Sequence, residues 1–122
     1  MTTYDLTLPA GEDWINANER THWASKARRT KYWRTKAAWL AERARVPHLD
    51  RAHVTVTVHK TTNRRYDPAN LAPTAKAIVD GLVDAGVLDD DDKTRLVGPD
   101  MRAGEKRDVR QLVVTIEPLE TP

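Results

Sequence analysis

Between His53 and Lys60 the chain alternates strictly, with Val54, Val56 and Val58 on one side and Thr55, Thr57 and His59 on the other. A period of two excludes a helix there and predicts a half-buried β-strand. Further on the period changes, and Ala75, Ile78, Val79, Leu82 and Val83 fall on the stripe of an amphipathic helix. Asn70 offers a cap for that helix, Pro73 sits in its first turn where the missing N–H does no harm, and Gly86 offers its end. A strand followed closely by a helix must share one core with it, and this constrains everything else in the chain.

The remaining segments fit around that pair. Tyr4, Leu6 and Leu8 alternate in a short strand stopped by Pro9 and Gly11. Trp33, Ala37, Leu40, Ala41 and Ala44 predict a helix from Thr30 to Arg45, ended by Val46-Pro47. Leu96-Val97 is a short apolar segment, Gly98-Pro99-Asp100 a turn signal, Arg102 to Asp108 a charged loop, and Val109 to Ile116 a last strand. The order implies one α/β (α+β) domain over residues 1–122, with a small mixed β-sheet and two main helices. Residues 1–3 and 118–122 are expected to fray.

Composition narrows the setting. With 122 residues a single core suffices, and with no Cys neither disulfides nor thiolate metal sites are available. No apolar run approaches the length of a membrane span and no signal pattern opens the chain, so a cytoplasmic protein is expected. The net charge of +2 hides a separation: nine Lys or Arg lie between Arg20 and Arg45, whereas six Asp lie between Asp80 and Asp92. Lys26, Arg28, Arg29, Lys31 and Arg34 crowd the start of the first helix, where phosphates are welcome, and Arg20, Arg64 and Arg65 add to a basic surface. Trp14, Asn16, Asn18, Arg20, His22 and Trp23 either meet phosphates and bases or form a loop whose two Trp cover the core edge. His53 and His59 lie about 20 Å apart along a strand, too far to share one metal, and read as surface side chains.

The acids stand in an unfavourable place. Asp89, Asp90, Asp91 and Asp92 follow the predicted second helix, whose C-terminal end carries partial negative charge. A divalent cation would reverse the penalty. Mg²⁺ is held by one or two carboxylates with waters and a substrate phosphate, and Asp67 could join Asp90 or Asp91 only if the chain returns on itself. Lys76 could stabilise developing charge on a phosphorane, or pair with Asp80 one turn along.

Taken in order, Arg65-Tyr66-Asp67-Pro68-Ala69-Asn70-Leu71, Lys76-Ala77-Ile78-Val79-Asp80-Gly81-Leu82, Ala85-Gly86-Val87-Leu88 and the Asp90-Asp91 pair resemble the RusA family of Holliday junction resolvases, common in phages and prophages. The likeness covers the central residues closely and the flanks in outline. It implies a homodimeric endonuclease that binds branched DNA, nicks four-way junctions in recombination and repair, and uses Mg²⁺, with Mn²⁺ as a possible substitute. By position, the resemblance makes Asp67 and Asp91 catalytic metal ligands beside Asp90, Lys76 the essential lysine, and Asn70 and Asp80 supporting residues. Two departures stand out: Ala69 replaces a second aspartate, and three extra residues separate Asn70 from Lys76. The alternative is a junction-binding protein of the same fold disabled by Ala69.

Overall fold

The computed structural model describes residues 2–9 and 11–120. Strand β1 (Tyr4–Pro9), helix α1 (Trp23–Arg43), strand β2 (Ala52–His59), a 3-10 turn (Pro68–Leu71), helix α2 (Ala72–Asp84) and strands β3 (Leu96–Ala103) and β4 (Gln111–Pro118) follow in sequence. The sheet order is β1-β4-β2-β3, with β1 and β2 antiparallel to β4 and β3 parallel to β2. A parallel pair cannot be joined by a tight turn, and α2 supplies the crossover. The expected mixed sheet with two helices is therefore present.

Alternation decides which face of the sheet is buried. Leu6 and Leu8 of β1, Val54, Val56 and Val58 of β2, and Leu112, Val114 and Ile116 of β4 all join one core with Trp33, Ala37 and Ala41 of α1 and Ile78, Val79 and Leu82 of α2. Thr7, Thr55, Thr57 and Thr115 point to the opposite, partly exposed face. At the end of α2 the N–H of Gly86 bonds to Val83 O and that of Val87 to Leu82 O. Gly86 has φ +81°, a left-handed conformation that glycine adopts without penalty.

Several boundaries differ from expectation. Helix α1 begins at Trp23 rather than Thr30, because Arg29 occupies the core stripe four residues before Trp33 and an apolar pattern cannot register it. His22 caps the helix, its Nδ1 accepting the Ala24 N–H at 3.2 Å. Gly98-Pro99 lies inside β3, not in a turn; β3 is an edge strand, where a missing N–H is tolerated. Strand β4 starts at Gln111 and runs to Pro118, and Leu119 N–H still bonds to Arg51 O at 2.9 Å, so residues 118–119 are tied down. Met1, Thr121 and Pro122, expected to fray, lie outside the described residues. His59 is buried rather than a surface histidine, its Nδ1 2.9 Å from Glu105 O.

Candidate functional site

The start of α2 is fixed from two sides. Asp67 caps the 3-10 turn, its Oδ1 accepting the Ala69 N–H at 3.0 Å. Asn70 does not cap α2: the cap position is Leu71, without a side-chain bond, and the Asn70 carbonyl accepts the Ala17 N–H at 2.7 Å. The buried Thr74 hydroxyl accepts from Ile15 N–H at 2.7 Å and donates to Ile15 O at 2.9 Å. These bonds set the first turn of α2 against the segment that precedes α1.

Lys76 projects from that turn. Its Nζ donates to Asp80 Oδ1 at 2.8 Å and also to Asp91 Oδ2. The first contact is the helical i, i+4 pair; the second requires the segment after α2 to fold back along the helix. Asp90 accepts the Asp91 N–H at 2.7 Å, which steadies the turn. The bond from Lys76 holds the Asp91 carboxyl below the usual carboxylate range. Asp80 first, then Asp91, raise the Lys76 ammonium above its ordinary value. The two groups thus remain a charged pair across neutral pH.

The other acids are spent locally. Asp89 lies 3.0 Å from His48 Nε2 and 3.8 Å from Arg95, and Asp92 Oδ1 accepts the Thr94 N–H at 2.8 Å. Asp84, the only one of the six in the last turn of α2, meets the Arg34 guanidinium at 2.6 and 2.8 Å. Arg34 thus offsets the one carboxylate in the last turn, and the buried Val87 and Leu88 stand in the chain between that turn and the four later aspartates.

Asp80 and Asp91 share one lysine, which fits the one or two carboxylates that Mg²⁺ takes from a protein. Among the described residues no group of three or more His, Asp or Glu is arranged to hold a metal ion. Of the expected ligands, Asp67 caps the 3-10 turn, Asp90 accepts the Asp91 N–H, and Asp91 meets Lys76, while Ala69 brings no carboxylate.

The basic set divides. Arg29 leaves it: the side chain is buried, with its guanidinium on Glu19 and its Nη1 donating to Trp14 O at 3.0 Å. Arg34 is exposed but committed to Asp84. Arg20, Arg28, Lys31, Arg64 and Arg65 are exposed and Lys26 partly so; Arg64 and Arg65 line a cleft of about 260 Å³ with Tyr66 and Gly104. Sequence reading missed two features. On the open sheet face His53 lies 2.6 Å from Asp100 and 3.6 Å from Glu117, a cluster that needs the pairing of β2 with both neighbours. On α1, Tyr32 and Trp39 line a groove on the outer face, which their i, i+7 spacing within the expected helix could have indicated.

The fold and site define a two-layer α+β domain in which a lysine of the crossover helix bridges a carboxylate of that helix and one of the segment after it. Compared with protein-family models and with curated proteins, the sequence matches none. No helix among the described residues is long and apolar enough to cross a membrane.

Proposed function

We propose that this chain is a structure-selective DNA endonuclease of the RusA type, working as a cytoplasmic homodimer on four-way junctions with Mg²⁺. The observation that carries the reading is the return of the chain after α2, which sets Asp91 against Lys76 and Asp80. Asp91, with Asp80 or Asp90 beside it, would hold Mg²⁺ together with a substrate phosphate and waters. When bound, the ion lowers the pKa of a coordinated water and neutralises charge at the scissile phosphate. Lys76 has three N–H donors, and with two on Asp80 and Asp91 one remains for a phosphate oxygen that gains charge during hydrolysis. Arg64 and Arg65, in the segment that connects β2 to the 3-10 turn, would meet the DNA backbone.

A second reading is favoured by Ala69: a junction binder that keeps the fold and lacks one metal ligand. A labelled four-way junction, incubated with Mg²⁺ or with chelator, separates the two. Paired nicks by the natural protein, abolished by chelator and reduced at least a hundredfold by Asp91→Asn with junction binding retained, are expected of the nuclease. Binding without nicks, with cleavage appearing only in Ala69→Asp, would establish the binder. Undiminished cleavage by Asp91→Asn would remove Asp91 from the chemistry.

A further inference from the structure

Helix α1 has two distinct faces. Arg29, Trp33, Ala37 and Ala41 are buried. Arg28, Tyr32, Thr35 and Trp39 recur at i, i+4, i+7 and i+11, the spacing that keeps side chains on one other face. With Glu12, Lys31 and Lys36 they line an open groove of about 440 Å³, within the roughly 300–1,000 Å³ typical of small-molecule clefts. The floor is aromatic and its parts are held. Tyr32 packs edge-on to the buried Trp33 at 5.1 Å, and Gly11 backs its hydroxyl. Trp39 is 47% exposed and contributes nothing to the core. Two cations lie over its ring, Lys36 Nζ 5.0 Å and the Arg43 guanidinium 4.7 Å from the centroid, on long side chains that a stacked base would displace towards its phosphates.

An aromatic floor inside a cationic rim matches one chemistry closely. A nucleobase presents a flat π-face to stack on an indole, and the phosphates on either side of it require cations at the edge. The rim supplies Arg28, Lys31 and Lys36 against the single carboxylate of Glu12, which sits 3.5 Å from Arg28. An acidic or purely apolar ligand would use only half of this surface. We infer that the outer groove of α1, centred on Trp39 and Tyr32, binds an unpaired nucleotide of DNA, stacking its base on Trp39 and holding the flanking phosphates with Arg28, Lys31 and Lys36. This rests on the reading that the chain handles branched DNA, and it adds a second contact region apart from the Lys76 cluster, one that prefers DNA with unstacked bases.

The test measures binding in chelator, so that no cleavage contributes, using a fluorescein-labelled oligothymidine, a four-way junction with unpaired nucleotides at its centre, and a fully paired duplex. Trp39→Ala should weaken binding of the first two roughly tenfold, as expected for loss of one base–aromatic stack, and leave the duplex within about twofold. Trp39→Phe should recover most of the loss, since a smaller ring still stacks. The double variant Arg28→Gln, Lys31→Gln should flatten the log–log salt dependence on oligothymidine by roughly 1.4, about 0.7 for each phosphate no longer neutralised. Unchanged binding by Trp39→Ala, equal losses in Trp39→Phe and Trp39→Ala, or equal losses on duplex and oligothymidine would each overturn the inference and assign the groove to another occupant. Junction nicking by natural protein alongside unchanged Trp39→Ala binding overturns this inference and leaves the nuclease standing. Failure of the natural protein to bind any of the three DNAs overturns both.

Discussion

The guanidinium of Arg29 sits within a helix whose other cations reach solvent, and its environment explains why. Glu19 takes it end-on, Ser25 Oγ accepts from Nε at 3.3 Å, and the Trp14 carbonyl takes a further N–H. Burying a charge costs several kcal/mol unless its donors are matched, so the pair holds only as a set. The bond from Arg29 pushes the Glu19 carboxyl far below its ordinary range. Glu19→Gln removes the paired carboxylate and leaves the buried Arg29 charge with only neutral acceptors in contact, which should cost about 3–5 kcal/mol. Urea unfolding checks this, and a loss below about 1 kcal/mol, the scale of an ordinary surface pair, would show that Arg29 finds water or another partner. Among arginines close together in sequence, only contact with the segment 14–19 distinguishes this one from those on the surface. Sequence alone offers no sign of that contact, and Arg29 reads as a phosphate ligand until the fold is known.

At the scale of elements, the two helices meet at Gly81. A Cβ there would lie 2.2 Å from the Arg34 carbonyl oxygen and 3.0 Å from Ala37 Cβ, so the obstacle is helix backbone, not a side chain that can turn away. Two effects compete in Gly81→Ala. Alanine favours the helix by about 1 kcal/mol, whereas overpacking a tight contact costs roughly 1–3 kcal/mol. Because the clash is with backbone, sterics should win, and the variant should melt several degrees lower by circular dichroism. A raised melting point would mean that α1 and α2 can separate cheaply. The same close approach places Arg34 beside Asp84, and so ties the interhelix ion pair to a glycine three residues away. The alternation and the helical stripes were legible in sequence; the crossing was not, since it depends on a contact between residues far apart in the chain.

For the molecule as a whole, acid should be the vulnerable direction. Glu19, Asp84, Asp91 and Asp92 all have lowered carboxyl pKa values, held down chiefly by Arg29, Arg34, Lys76 and Thr94 respectively. A pKa depressed in the folded state contributes stability that is complete above the unfolded value and is lost as pH falls through the folded one. The loss should therefore begin as pH drops through about 4 and continue below it. The cationic partners are shifted upward, so their contribution is complete below the unfolded values and is lost only in strong alkali. Urea midpoints across roughly pH 2 to 8, a range that spans the ordinary carboxyl values, should fall steeply at the acid end. In Glu19→Gln the acid slope should flatten, because the most strongly shifted group is gone. An unchanged slope would place the acid sensitivity in the exposed aspartates.

The amino-acid sequence by itself determined the local structure of this protein. Valine alternation made β2, the helical stripe and Gly86 made and ended α2, and the order of elements implied a small mixed sheet with two helices. The resemblance carried by its central motifs also singled out Asp67, Asp90 and Asp91 with Lys76, and Asn70 and Asp80 as supporting residues. Periodicity works over a few residues because it reflects which face of one element meets apolar neighbours. Tertiary structure alone decided that Gly98-Pro99 belongs to an edge strand, that Arg29 is interior while Arg28 is not, that Asp91 meets Lys76, and that Trp39 faces an open groove. Each of those depends on which distant segment lies alongside, and a side chain's charge or polarity carries no information about that.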